Sequence, residues 1–466
     1  MFAAAVSAVG PDALIDRVGF TPGGIEFGGR RLHPRGRLHL VALGKAAPGL
    51  AAAFLRRCRR APDSVFVLAP DGAPTPAAVA RATRFAAHPV PDARGAAAAR
   101  ELLAALAATA PDDAVVALVS GGGSALLAEP LPGVELDEAA ELTRALLTAG
   151  LPIRALNTVR THLFAAAGGR LAAATPARLL ALVLSDVPGD DLAAVASGPT
   201  VADPTTFAEA LATLERAGVA GAVPRVHRVL AAGARGERPE SPKPGDPRLA
   251  RVETRLLGSN ADALAAAAAT ARAAGVRPCE LTRTLHGEAR RVGEALAALA
   301  ASLASGEATA LLLAGETTVR VRGGGCGGRN LELALAAACG LAGVPERCLL
   351  AAGSDGADGA APAAGAVVDG GTLARGAARG RDALTALADN DTWGFFAGLP
   401  DALVTGPTGT NVADLVFVLA AGGAPEFVPA AHALVRPDRP LPAGAGPRRG
   451  RSCSAPPARS WLHWRR

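Results

Sequence analysis

The sequence predicts an α/β protein of two domains, and three observations carry that expectation. Short apolar runs alternate with longer helical stretches, the pattern of a mainly parallel sheet covered on both faces. The pattern breaks at residues 233–250, GARGERPESPKPGDPRLA, a run of Pro, Gly and charge, and then restarts. The length of 466 residues calls for two or three domains.

In the first half, LHLVALG (38–44) reads as a buried strand and 46–60 as a helix. SVFVLA (64–69) is a second strand, followed by a helix over 94–108. DAVVALVS (113–120) is a strand ending in GGGS, and ARLLALVLS (177–185) is one ending in DVPGDD. These elements form a first domain over 1–235, with 236–250 as a Pro-rich linker. The second domain, 251–420, opens with ETRLLGSN. It continues through helices at 261–274 and around 287–303 and a strand at 308–316. TTVRVR (317–322) alternates strictly, which predicts a half-exposed strand. Beyond 420 the periodicity is lost among Pro, Gly and Arg, so 421–466 reads as a disordered basic tail.

Half of the residues are hydrophobic, but Tyr is absent and aromatics are 3%, so the core must be Leu, Val and Ala. The formal charge is +6, yet residues 436–466 hold eight arginines and one aspartate. The body is therefore near neutral, which argues against a nucleic-acid partner. The six cysteines lack metal-binding or disulfide-framework spacing and fit a reducing cytoplasm. The N-terminal stretch lacks the basic start of a signal peptide, and no apolar run is long enough for a membrane span.

The unusual feature is the set of loops after the apolar runs: GKAA, SGGGSALL, SDVPGDD, GETTVRVRGGGCGGRN, GSDGADG and TGPTGTN. Ligands of parallel α/β sheets bind outside the carboxyl ends of the strands. Glycines there let backbone N–H groups approach an anion, so several such loops suggest a polyanion such as ATP. Each loop alone also reads as a plain turn. GGGCGG (323–328) fits GxGxxG, but the strand expected before it is half-polar and no acid ends a second strand downstream, so a dinucleotide site is not expected. No Walker P-loop is present.

Lys45 and Lys243 are the only lysines, against 46 arginines. Lys45 sits at a strand-to-helix turn, where an amine reaches a transferring phosphoryl group. A site that needs a compact ammonium would resist replacement by arginine. His88, in HPVPD, reads as a turn histidine ahead of a catalytic base. Asp186, Asp190 and Asp191 follow one strand and Asp355 and Asp358 another, while Asp414 follows TGPTGTN. Each either holds Mg²⁺ or caps structure, and Asp191 reads as a cap. Arg329, followed by Asn330, starts a helix after the glycine run, where a guanidinium can hold a carboxylate or phosphate.

Taken in order, HPVPD, SGGGSALL, LSDVPGDDLAAVASGPTVADPTTFAEA, ESPKPGDP, GETTVRVRGGGCGGRN, GSDGADGAAPAAGAVVDG and TGPTGTNVADL resemble the type II glycerate kinases, the glycerate 2-kinases with a C-terminal MOFRL domain, also labelled hydroxypyruvate reductases. The resemblance runs from about 35 to 420. It implies a Rossmann-like three-layer N-terminal domain and a smaller α/β MOFRL domain, with the active site in the cleft between them. It also implies ATP- and Mg²⁺-dependent phosphorylation of D-glycerate at the 2-hydroxyl. The family's active-site lysine and arginine fall on Lys45 and Arg329. Substrate and ATP are expected at Ser120, Gly121, Gly122, Gly123, Ser124, Asn157, Arg160, Asn330, Thr408 and Asn411. Metal is expected at Asp186, Asp190 and Asp355. The expected protein is cytoplasmic, takes small-molecule partners and is compatible with a homodimer.

Thr161 and Ala167 stand where the family usually has lysines, Cys326 where a basic residue precedes GGRN, and Leu331 where a Gln follows it. Two alternatives therefore stand beside the kinase. One is an NAD(P)H-dependent hydroxypyruvate reductase; the other is a weakened, non-catalytic paralogue.

Overall fold

The computed structural model describes residues 1–148, 153–303 and 308–420. The expected basic tail, 421–466, lies outside the described residues. The described residues divide into two compact units, 3–265 together with 409–412, and 266–408 together with 1–2 and 413–420.

A small antiparallel meander, β1 (Gly19–Thr21), β2 (Gly24–Phe27) and β3 (Arg30–Leu32), precedes the main sheet of the first unit. That sheet is built from β4 (Leu38–Leu43), β5 (Ser64–Pro70), β6 (Thr83–Ala86), β7 (Ala114–Ser120), β8 (Arg178–Leu184) and β9 (Val252–Gly258). Its order is β6-β5-β4-β7-β8-β9, and every pairing is parallel. Successive side chains on a strand face opposite sides. Val41, Leu43, Val115, Ala117 and Val119 share a core with Ala98, Ala99, Leu102 and Leu106 of helix Ala93–Ala107. Helix Ala47–Arg57 buries Leu50 and Phe54 and lies on β4, β5 and β7. Parallel strands covered on both faces become continuous apolar runs, as β7 (AVVALVS, buried throughout) illustrates.

β9 belongs to this first sheet, although the sequence placed 252–258 at the start of the second domain. The Pro-rich stretch 236–250 is thus an internal crossover. It is pinned: Ser241 Oγ donates to Asp203 Oδ2 (2.6 Å), and the Lys243 ammonium bonds Ser241 Oγ (2.8 Å) and pairs with Glu240 (3.1 Å). Lys243 therefore has a structural post.

The second unit holds β10 (Arg277–Leu285), β11 (Thr309–Gly315), β12 (Arg347–Gly353), β13 (Gly365–Asp369), β14 (Ala402–Leu403) and β15 (Asp414–Ala420), in the order β10-β11-β15-β12-β13-β14. Only β10–β11 is parallel; the other pairings are antiparallel. The mainly parallel sheet expected from the strand–helix alternation of the first half is found in the first unit, while the second unit's sheet is mixed. β11 is buried throughout and β15 nearly so, and burial on both faces erases the alternation that marks most antiparallel strands. Leu311, Leu313, Val416 and Val418 pack with Leu331, Leu333 and Leu335 of helix Arg329–Leu341. The expected strand at 317–322 does not form. Asn390 replaces a ladder there, accepting from Arg322 N (2.6 Å) and Gly323 N (3.1 Å), and Val321 is left exposed.

Candidate active site

The strand order of the first sheet reverses direction between β4 and β7, and that junction is where open α/β sheets leave a crevice for ligands. Lys45 follows β4 and the glycine run follows β7. The two loops are joined: Lys45 N donates to Gly121 O (2.9 Å), and Ser120 Oγ donates to Leu43 O and accepts from Ala46 N, both at 3.1 Å. Ser120 is fully buried, so its hydroxyl holds the crevice together instead of facing a ligand. Strand adjacency thus sets Lys45 beside the SGGGS loop, two motifs far apart in sequence.

Two glycines of the run are required. Gly122 has φ +86°, and a Cβ there would meet Lys45 Cγ at 3.2 Å. A Cβ on Gly121 would fall inside the carboxylate of Asp186, which follows β8. Asp186 Oδ2 also accepts from Asn411 Nδ2 (2.9 Å), so three expected site residues meet at one point. Gly123 opens a short helix, Gly123–Leu126, and packs against Ala196.

From Ser124 a buried polar chain runs inward. Ser124 and Ser197 hydroxyls are 2.8 Å apart, Ser197 Oγ donates to Asn157 Oδ1 (3.3 Å), and Asn157 Nδ2 donates to Ala194 O (2.9 Å). Three residues on, in helix Ile153–Thr161, lies Arg160, 9% exposed. Among the described residues no carboxylate pairs with it, and burial pushes its guanidinium down to about 10. A buried cation without a counter-charge is costly and favours an anionic ligand. Thr161 and Ala167 are interior. Asp190 turns its loop with φ 57°, and Asp191 accepts from Ala193 N (3.2 Å) and pairs with Arg154 (3.0 Å).

The second unit carries Arg329. Its Nε and Nη2 grip Asp414 at 2.5 and 3.0 Å, and Nη1 meets Glu316 at 2.5 Å. Burial works against this guanidinium's charge, but Asp414 and Glu316 more than offset it and raise its pKa. Asn330 is buried beneath it, donating to Asp358 (3.2 Å) and Asp414 (3.0 Å), so it supports Arg329 and does not face outward. Asp358 also accepts from the backbone N–H groups of Asn330 and Leu331. Burial is the larger influence and pushes its carboxyl up to about 6. Thr408 Oγ1 donates to Ser354 O (2.6 Å), and its N–H donates to Asp355 O (3.1 Å). Asp355 thus lies in this unit and Asp186 and Asp190 in the other. Among the described residues no three His, Cys, Asp or Glu side chains form a ready metal cluster. Sequence reasoning passed over Ser197 and Glu316, although each lies in a quoted strand-end motif, SGPT and GETT.

The GGGCGG loop spends its N–H groups internally. Gly324 N donates to Asp389 Oδ1, Gly325 N to Asp389 O and Cys326 N to Asp391 Oδ1, at 3.0–3.1 Å. A pyrophosphate would find few donors there, as the polar character of 317–322 foretold.

Fold and site together define a two-unit α/β protein with a lysine at a sheet switch point in one unit and a carboxylate-anchored arginine in the other. Residues 1–231 match the DUF4147 family, described as a domain of unknown function, and residues 309–414 match the MOFRL family. A D-glycerate 2-kinase of Thermotoga maritima is 38% identical over 72% of this chain and 79% of its own. An Agrobacterium vitis protein that bears a hydroxypyruvate reductase name is 41% identical over 83% of this chain and 88% of its own. The crystal structure of glycerate kinase from Thermotoga maritima aligns with a TM-score of 0.74 at 36% identity, covering 90% of this chain and 97% of that one. The chain belongs to the glycerate kinase family that joins a DUF4147 domain to a MOFRL domain. No helix among the described residues is long and apolar enough to cross a membrane.

Proposed function

We propose that the protein transfers the γ-phosphoryl group of ATP to the 2-hydroxyl of D-glycerate, giving 2-phosphoglycerate. The observation that carries this reading is the junction of Lys45 with the Gly121–Ser124 loop at the β4/β7 switch point. Phosphoryl transfer needs positioning and charge neutralisation more than covalent chemistry. The Lys45 ammonium and the N–H groups that open helix Gly123–Leu126 supply positive charge at one place. Arg160 supplies a second, buried positive charge with which no carboxylate pairs among the described residues.

Arg329 has five N–H hydrogens. Asp414 takes two and Glu316 one, which leaves one on each terminal nitrogen. That two-pronged end suits the substrate carboxylate or a phosphate.

The oxygen donors of Asp186, oriented by Asn411, suit a hard cation that takes one or two carboxylates and completes its shell with phosphate oxygens. Asp186, with Asp190, would hold Mg²⁺, which supplies neutralisation of phosphate charge.

The test is incubation of purified protein with ATP, Mg²⁺ and D-glycerate, with products read by phosphorus NMR. A 2-phosphoglycerate signal is expected. A 3-phosphoglycerate signal, or no product, would overturn the reading.

A further inference from the structure

The sequence read His88 as a turn histidine, but the fold carries it elsewhere. It follows β6 at the same carboxyl edge of the sheet as Lys45 and the glycine run. The point where a Gly122 Cβ would stand lies 3.2 Å from Lys45 Cγ, 3.3 Å from His88 Cδ2 and 3.4 Å from His88 Nε2. The lysine stem and the imidazole edge thus flank one glycine of the loop. His88 itself is exposed.

The aim of the ring is built in. Asp92 caps helix Ala93–Ala107 by accepting from Gly95 N (3.1 Å), and Asp71 N donates to Ala86 O (3.1 Å). Gly95 is pressed against Ala86 and the Leu126 carbonyl, so the start of that helix sits directly on the short helix that Gly123 opens. The loop 87–92 is thereby fixed at both ends beside the glycine run. Beside that loop Asp71, Asp92 and Arg94 pair among themselves, Arg94 meeting Asp71 at 2.6 Å and Asp92 at 2.7 Å.

We propose that His88 is the proton acceptor for the hydroxyl that attacks the phosphoryl group held at Lys45 and Gly122. The proposal rests on the kinase reading given above. The substrate oxygen forms its bond to the γ-phosphorus, and its proton passes to the imidazole Nε2. The bond from that phosphorus to the bridging oxygen breaks, and its electron pair leaves with ADP. A neutral imidazole accepts a proton on its unprotonated ring nitrogen, which is the role assigned to Nε2 here.

His88→Ala and His88→Gln are compared with the wild-type enzyme in one assay, with ATP and D-glycerate varied separately. The expected result is a fall in kcat of roughly 100-fold or more in both variants. The KM for ATP and the melting temperature should stay near wild type. Free imidazole should restore part of the activity of His88→Ala, and the acid limb of the wild-type pH profile should be absent from both variants. A raised KM for ATP with kcat retained would make His88 a phosphate contact and overturn the proposal. So would wild-type kinetics, or a loss that follows the melting temperature and resists imidazole. If the wild-type enzyme itself forms no 2-phosphoglycerate, the kinase reading and this inference fall together. If it does and the variants match it, this inference alone falls.

Discussion

Replacing Gly121 with alanine places a methyl group where the Asp186 carboxylate lies. Carbon and oxygen need contact distances of roughly 3.5 Å, so the carboxylate must retreat by about 2 Å. Retreat breaks its bond from Asn411 Nδ2. Overpacking of this kind costs about 1–3 kcal/mol, and a hydrogen bond to a charged group contributes about 1.5–3 kcal/mol. A net destabilisation of about 2.5–6 kcal/mol is therefore expected, or a melting temperature lower by roughly 5–24 °C for a unit of this size. If Asp186 holds Mg²⁺ at the phosphates, kcat should fall with it. Urea denaturation and steady-state kinetics measure the two effects. The decisive comparison is Gly121→Ala with Gly121→Ala/Asp186→Ala. Removing the carboxylate relieves the clash, so the double variant should be more stable than the single one by about 1 kcal/mol or more, within the range of contact couplings, while remaining inactive. Equal stability of wild type and Gly121→Ala, or additive losses in the double variant, would refute the placement of Asp186 against the glycine run.

Three more outcomes follow from other parts of the molecule. Lys45→Arg should fail to restore the turnover lost in Lys45→Ala, because a wide planar guanidinium does not replace a compact ammonium beside Gly122; near-normal kcat in Lys45→Arg would refute this. Asp414→Ala should destabilise the second unit by about 3–5 kcal/mol, since Asp414 is buried and leaves Arg329 without its main partner. Glu316→Ala removes a half-exposed partner of the same arginine and should cost only about 0–1 kcal/mol; denaturation of both variants checks the contrast. The folded-state pKa of Asp358 is raised to about 6, so the native protein binds this proton more tightly than the unfolded chain does. Stability should then fall as pH rises from about 4 to about 6. Asp358→Asn, which does not titrate, should lose that part of the slope in a pH series of urea melts.

Strands β4, β5, β7, β8 and β11 were legible because each is an apolar run closed by a turn motif. The allegiance of β9 was not, because pairing with β8 depends on contacts across more than seventy residues that no local pattern encodes. β15 went unread as a central strand because it adjoins the sequence that loses periodicity, and its antiparallel neighbours are buried with it. Lys45, Gly121, Gly122, Asp186 and Asn411 were singled out from motif and position, and the fold brings them near one another within one unit. Ser120 and Asn330 sat in the right loops, but their side chains face inward, which sequence position does not reveal. His88 lies in a turn beside two prolines, and only the sheet order places that turn next to Gly122.

The membership of residues 409–412 in the first unit has a consequence for how the protein is made. Thr410 donates to the carbonyl of Val9, and Asn411 fixes Asp186. These partners emerge about 150 residues after the rest of that unit ends at Ala265. At a synthesis rate of roughly 5–20 residues per second, the nascent first unit waits on the order of ten seconds with the Asp186 loop unsecured. A ribosome stalled anywhere between 266 and 408 would therefore carry a nearly whole sheet whose proposed metal-binding carboxylate has no amide to hold it. Translation has to pass the last strand-end loop before the first one can be finished.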